Sequence, residues 1–365
     1  MTQTSIFQAP GRADPSPEVA KTQRVVADDK AMLKAAAGLT RDLNLPNARI
    51  FWADLVGSAA LGYLGLGIAM VAGSPLLAIL AGVVAIFALY RAGSFIHEVS
   101  HIKHSQLPGF RLGWNLLVGV PLLIPSFLYE GVHNQHHAKT RYGTVDDPEY
   151  LPLALMKPWT LPLFLLSSAL APLALLIRFA VLTPLSMLSP KLRAVVVSRL
   201  SGLQINPHFR RKPAEGDARR QWAWQETVCS VWAITLVVLI ASGIIPLQAA
   251  LVFLAVTSGT MFLNQVRTLV AHLWENDGEQ MTVTAQYLDS VNVPPPGTLP
   301  ALWAPVGLRY HALHHLLPGV PYHNLGEAHR RITAELAHDS VFHHTNHRGL
   351  SPLVGRLAAS TWRSR

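Results

Sequence analysis

The chain has 365 residues, half of them hydrophobic, with only 14% charged and a mean hydropathy of +0.28. Soluble domains carry roughly 25% charged residues, so this composition excludes an ordinary soluble protein and points to one embedded in a membrane. The net charge of +9 lies in basic residues flanking apolar runs, and no aromatic-rich basic module for nucleic acid accompanies it.

Residues 1–50 are polar and mixed in charge, without the short apolar core of a cleaved signal peptide, and read as an N-terminal segment. A first span is predicted over residues 51–73, because about twenty residues at 1.5 Å each cover a bilayer core of roughly 30 Å. Gly73, Ser74 and Pro75 supply a turn. A second span over residues 76–96 then delivers His97 and His101 to a membrane surface. Residues 112–129 are apolar but interrupted by Pro121 and Pro125. A crossing there would put the histidines before it and after it on opposite faces, so the segment reads as re-entrant or interfacial. Residues 151–188, with Pro152, Pro158, Pro162, Pro172, Pro184 and Arg178, read the same way. Two more spans are predicted at 227–245 and 247–270, joined at Gly243–Pro246. The single cysteine, Cys229, lies in the first of these, reads as a core residue, and excludes an internal disulfide or a built-in iron–sulfur or rubredoxin-type centre. Residues 331–365 read as a polar tail. The predicted fold is an all-α integral membrane protein of about four transmembrane helices with re-entrant or interfacial helices, its catalytic domain spanning residues 51–330.

Charge agrees with this layout. Residues 188–221 hold Lys191, Arg193, Arg199, Arg210, Arg211, Lys212, Arg219 and Arg220, whereas the turns at 72–75 and 241–247 hold no charge. The positive-inside rule then places both termini and every histidine cluster in the cytoplasm.

Three histidine boxes carry the chemistry: His97 and His101; His133, His136 and His137; His311, His314 and His315. Neutral imidazole is the commonest protein ligand for zinc, copper, iron and nickel. Residues three and four apart on a helix share a face, so each box can aim at one centre. Eight imidazoles in three boxes point to a site with more than one ion. The first box also reads His-Glu-x-x-His, with Glu98 as the base of a zinc protease. A zinc site needs three protein ligands and a water, which leaves the other two boxes unexplained, so this alternative stands far behind.

Taken together, the boxes resemble those of the membrane fatty acid desaturase and hydroxylase superfamily, in their spacing and in their placement after the second span, after a short apolar segment and after the fourth. The stretches around Gly119–Ser126 and Gly307–His315 are similar to bacterial acyl-chain desaturases. The resemblance implies a di-iron centre in a cytoplasmic cap and a ninth ligand just past the fourth span, where His272 stands. It also implies an asparagine four residues earlier that holds a metal-bound water. That position is Thr268 here, so either the water is held differently or the nearby Asn264 or Asn276 serves. Resemblance, not ligand chemistry, selects iron, since zinc competes well for imidazole.

The implied activity is oxidation of an unactivated C–H bond in an acyl chain by O2 and two electrons. Desaturation is the family's main outcome; hydroxylation and oxidative decarboxylation of a free fatty acid to a terminal alkene are the alternatives. The implied partners are a fatty acid, acyl thioester or acyl lipid, and a separate electron donor of ferredoxin, rubredoxin or cytochrome b5 type, docking on the basic loop. No residue beyond the metal ligands is expected to act on substrate.

Other residues receive plainer expectations. His104 is a possible extra ligand one turn past His101. His208, His323, His329, His338, His343, His344 and His347 are expected at the surface. Ligating histidines usually donate their second N–H to a carboxylate or carbonyl, with Glu98, Glu130, Asp146, Asp147, Glu275 and Asp289 as candidates. Trp114, Tyr129 and Trp303 read as interface anchors.

Overall fold

The computed structural model describes residues 26–363; residues 1–25 of the predicted N-terminal segment lie outside this range. The described residues form helices and turns, with isolated bridges in place of strands. After α1 (Lys30–Leu39), the long helices α2 (Ala48–Val71) and α3 (Pro75–His101) make a hairpin. Asn47 and Ser74 cap their N-termini through side-chain oxygens, satisfying backbone donors left free in the first turn. The two helices lie close because Gly62 and Gly65 lack side chains. A Cβ at Gly62 would stand 2.6 Å from Leu89, and one at Gly65 would stand 2.9 Å from the Ala81 carbonyl. Small residues at such crossings are how helices pack in lipid. Leu61, Leu64, Ile68, Leu76, Ile79 and Leu80 stay exposed on the outer surface.

The segment after α3 is the short, broken element expected there. It comprises α4 (Phe110–Trp114), a π-helical turn (Asn115–Gly119) and the loop to α5 (His133–His136). Trp114 is not an interface anchor: it is fully buried, and its Nε1–H donates to the Ala92 carbonyl at 2.9 Å.

Among the described residues, five helices are long and apolar enough to span: α2, α3, Ala171–Leu188, Gly216–Ala241 and Leu247–Leu269. Helix α6 (Thr160–Ala169) leads into Ala171–Leu188, which comprises α7 (Ala171–Ile177), a π-helical turn (Arg178–Leu182) and α8 (Thr183–Leu188); α9 (Pro190–Arg199) follows. The hairpin of α10 (Gly216–Ala241) and α11 (Leu247–Leu269) completes the apolar body. Three of the five lie between His136 and His272, yet those two rings are 5.2 Å apart. Only an even number of complete crossings can separate them. The α10–α11 hairpin turns within a few residues. Arg178 lies at the middle of Ala171–Leu188, where its buried guanidinium donates to the Leu200 carbonyl, to Ser201 Oγ and to Glu226. A charge buried in this way must be paired.

The polar remainder packs around the histidine-bearing segments. It contains α12 (Val283–Asp289), α13 (Pro300–Trp303), α14 (His311–Leu316), α15 (Leu325–Glu335) and α16 (Leu350–Arg363). Met32 and Ala36 of α1 share one apolar cluster with Leu325, Ala328 and Ile332 of α15. Leu357 of α16 joins another with Tyr142 and Trp274. His329, expected at the surface, is instead buried and bonded through Nε2 to Asn346 Oδ1 at 2.9 Å.

Candidate metal centre

Each box is delivered by a different piece of backbone. Helix α3 continues past the apolar stretch, so His97 and His101 project from its last turn, four residues apart on one face. A turn with Gly131 at φ +77° starts α5, which carries His133 and His136, with His137 at its C-cap. Helix α14 carries His311, His314 and His315. His272 follows α11 in an extended segment bridged to Ser290.

These elements bring all nine histidines singled out in the sequence into two adjoining groups. His97, His101, His133, His137 and His314 form one; His136, His272, His311 and His315 form the other. Within each group one ring nitrogen per residue lies within 4.8 Å of all the rest, an arrangement that could hold a metal ion. Several nitrogens face each other directly: His133 and His137 Nε2 at 3.0 Å, His101 and His314 Nε2 at 3.0 Å, and His272 and His311 Nε2 at 3.0 Å. Neighbouring ligands at right angles on an ion with bonds of roughly 2.1 Å sit about 3 Å apart, so the spacing fits. So does the state of His97, whose buried ring nitrogens have no hydrogen-bond partner. The His137 and His315 rings stack at 4.2 Å and join the groups. Burial holds His133, His137, His272, His311, His314 and His315 well below the usual imidazole range, in the neutral form that binds metal. His136 shifts the other way: burial opposes its charge, but Asp147 outweighs it.

The nitrogens facing away from the centre meet an outer ring. His136 Nδ1 lies 2.9 Å from Asp147 Oδ2, and His133 Nδ1 lies 3.0 Å from Glu149 Oε1 and 2.9 Å from the Tyr129 hydroxyl. His272 Nδ1 is 2.8 Å from the Tyr142 hydroxyl, which donates to Asp289 Oδ2 at 2.8 Å. His311 differs, with the Arg267 guanidinium donating to its Nδ1 at 2.8 Å. Burial pushes the Glu149 carboxyl up to about 7 and that of Asp289 to about 6.

Of the sequence candidates for this ring, Asp147 and Asp289 are present and Glu98 lies 3.5 Å from His97 Nδ1. Glu130 instead takes Ser126 and Arg111, Glu275 takes Arg356, and Asp146 is exposed. His104 is exposed and stands outside both groups. Glu149, Tyr142 and Arg267 were not anticipated, and Tyr129 stacks on His133 rather than anchoring an interface. The acidic run Asp146-Asp147-Pro148-Glu149 just past the second box, and a lone arginine ending an apolar helix, were the available signals.

A cavity of roughly 350 Å³ reaches His97, His133, His136, His272 and His311. Tyr90, Ile124, Phe164 and Met261 give it apolar walls, while Ser167, Ser168, Asn264, Gln265 and Thr268 line it with neutral polar groups. Thr268 Oγ1 donates to the Asn264 backbone carbonyl, and both residues line the cavity. Asn276 is committed elsewhere, with Nδ2 donating to the Gly143 and Glu279 carbonyls. Glu98 does not line the cavity; it accepts the Tyr322 backbone N–H at 3.0 Å, a poor position for a protease base.

The fatty acid desaturase family matches residues 71–347. A ceramide hydroxylase from Caulobacter vibrioides is 50% identical over 331 residues, which cover 91% of this chain and 94% of that protein. The chain therefore belongs to the fatty acid desaturase family of membrane oxidoreductases.

Proposed function

We propose that this protein is a di-iron hydroxylase of a ceramide-type lipid, with His97, His101, His133, His137 and His314 holding one iron and His136, His272, His311 and His315 the other. The observation that carries the reading is the pair of converging imidazole groups at the wall of an apolar cavity. Half-identity to a named ceramide hydroxylase favours insertion of oxygen over formation of a double bond. When bound, the irons supply the O2-dependent cleavage of a C–H bond. One oxygen atom enters the product as a hydroxyl, and two electrons and two protons carry the other to water.

The chain's own residues supply orientation. Asp147, Glu149 and the Tyr142–Asp289 pair fix the outward nitrogens of His136, His133 and His272, so that the inward nitrogens carry the lone pairs. The cavity supports a neutral head. Arg267 is its one lining guanidinium, no lysine lines it, and Arg267 is turned to His311. A free carboxylate or a thioester phosphate would find no counter-ion there, whereas the amide and hydroxyls of a ceramide find Ser167, Ser168, Asn264 and Gln265. This argues against decarboxylation of a free acid.

Electrons come from a separate ferredoxin, rubredoxin or cytochrome b5-type carrier, since one cysteine builds no cluster. The charge asymmetry of the loops supports an inner-membrane position with the histidines facing the cytoplasm. The test is to supply membranes containing the protein with ceramide, a reductant system and isotopically labelled O2, and to analyse the lipid by mass spectrometry. The expected product gains one labelled oxygen atom. A product that has lost two hydrogens and carries no label would replace hydroxylation with desaturation. His136→Ala and His314→Ala should each remove activity and lower bound iron.

A further inference from the structure

A second concavity, of about 860 Å³, is lined by Asn134 and Gln135 of the second box, while none of the nine histidines lines it. Its lining is basic: Arg111, Arg141, Arg210, Arg211 and Lys212 against Glu130 and Asp146. Arg211 is already committed, its guanidinium donating to the carbonyls of Phe127, Ser201 and Glu130 and stacking 4.5 Å above the Trp222 ring. Arg111 sits 3.3 Å from Glu130. Arg210 and Lys212 are exposed, and Arg210 uses only Nη1, on the carbonyls of Pro207 and Phe209. The groove therefore keeps a positive excess with donors to spare.

Two buried groups in its wall carry the same sign. Trp222 is 5% exposed and Gln225 fully buried, both line the groove, and neither Trp222 Nε1 nor Gln225 Nε2 has a protein acceptor. A buried donor without a partner costs free energy that an incoming acceptor recovers. The groove also sits where the lipid-facing surface starts. Leu112, next to Arg111, is exposed, and so are Val228 and Val231 one to two turns beyond Trp222 and Gln225 on α10.

We propose that this groove binds the phosphate headgroup of an anionic membrane lipid. Its concavity and volume suit a headgroup, whereas a protein partner needs a broad face of about 800 Å². Its level at the edge of the apolar surface is where anionic headgroups meet basic side chains. The site lies apart from the histidines and does not rest on the proposed reaction.

The test uses the full chain in detergent, titrated with phosphatidylglycerol or phosphatidylcholine, with bound lipid read by native mass spectrometry. The phosphatidylglycerol adduct should form preferentially. Replacing both Arg210→Gln and Lys212→Gln should weaken it about thirtyfold. Trp222→Phe, which removes the indole N–H together with its five-membered ring and keeps an aromatic ring beside Phe127, should weaken it about fivefold. Exposed basic residues outside the groove, changed as Lys191→Gln with Arg199→Gln, should leave it unaltered. Equal adducts of the two lipids, or equal losses in the control variant, would overturn the proposal. If inorganic phosphate alone raised the Tm as much as the lipid did, with the groove variants blind to it, the site would belong to a soluble phosphate. If the variants lost donor-dependent turnover but bound lipid normally, it would belong to the electron carrier. Either result refutes the lipid assignment.

Discussion

Replacing Asp147 by Asn changes one atom in a carboxylate that is fully buried and fully used. Its Oδ1 accepts from the Glu149 backbone N–H at 2.8 Å, its Oδ2 accepts from the Gly143 backbone N–H at 2.8 Å, and both lie within 3.0 Å of His136 Nδ1. An asparagine cannot reproduce this. Whichever way the amide is turned, its NH2 faces a backbone N–H, so one buried donor loses its acceptor and His136 loses a charge-assisted bond. A buried unsatisfied donor costs about 1–3 kcal/mol, or about fivefold to 150-fold in an equilibrium at 1.4 kcal/mol per decade. Changes behind a metal-bound histidine commonly cost about 10- to 100-fold in metal affinity. Iron per protein, measured by inductively coupled plasma mass spectrometry after limiting-iron reconstitution, should therefore fall by about tenfold or more. Asp146→Asn, at the exposed neighbouring position, should change nothing. Full iron content and turnover in Asp147→Asn would refute the claim that this carboxylate positions His136.

Three further outcomes follow from the geometry. Ala171→Trp fills the cavity wall away from the histidines, and should remove lipid turnover while leaving bound iron and Tm unchanged. Gly307→Ala would place a Cβ 2.8 Å from Leu325 and 3.0 Å from Tyr322 Cα, at a φ of +70°, four residues before His311. Strain and overlap together should cost about 2 kcal/mol or more, seen as a fall in Tm by differential scanning fluorimetry. Arg267→Met keeps the volume but removes the donor to His311 Nδ1, so the ring can carry its proton there and turn a lone pair on Nε2 inward. Iron bound at limiting supply should hold or rise, and a drop of about tenfold would show that the guanidinium supports the centre.

What could be read from the sequence was whatever is local in the chain. Box spacing needs only the helical repeat, so the pairs four apart, His97 with His101, His133 with His137 and His311 with His315, declared their shared groups directly, whereas His136 and His314 turn to the other group and only the first box aims at one centre. The interfacial reading of residues 112–129 came from prolines and from the need to keep two boxes on one side, and the short broken element there agrees. What was missed depends on contacts made across the fold. Tyr142 reaches His272 over 130 positions and Arg267 reaches His311 over 44, and no local pattern announces either. Trp114 and Tyr129 were misread for a related reason: an aromatic ring at the edge of an apolar run has the same sequence signature whether it faces headgroups or the core. The basic loop was likewise read as one surface, although Arg193 is bound to Glu226 and Arg211 to three carbonyls. Neither is available to steer an electron donor.

The outer ring carries an argument about what the histidines hold. Asp147 and Asp289 are buried and Glu149 nearly so, yet none pairs with a lysine or arginine among the described residues. The one guanidinium nearby, Arg267, is turned to His311. Burying carboxylates away from cations is expensive, and six of the imidazoles in front of them are held in the neutral state. In its ionised state such a ring is an unbalanced charge distribution, which an all-protein core relieves only by taking up protons at Glu149, Asp289 and His136. It becomes balanced when divalent ions sit on the inward nitrogens, with neutral imidazoles as ligands and the compensating negative charge one hydrogen bond behind. In that arrangement the carboxylates are kept from the metals themselves and stabilise the bound cations through the rings. Removing one of them should therefore weaken ion binding more than it weakens the fold.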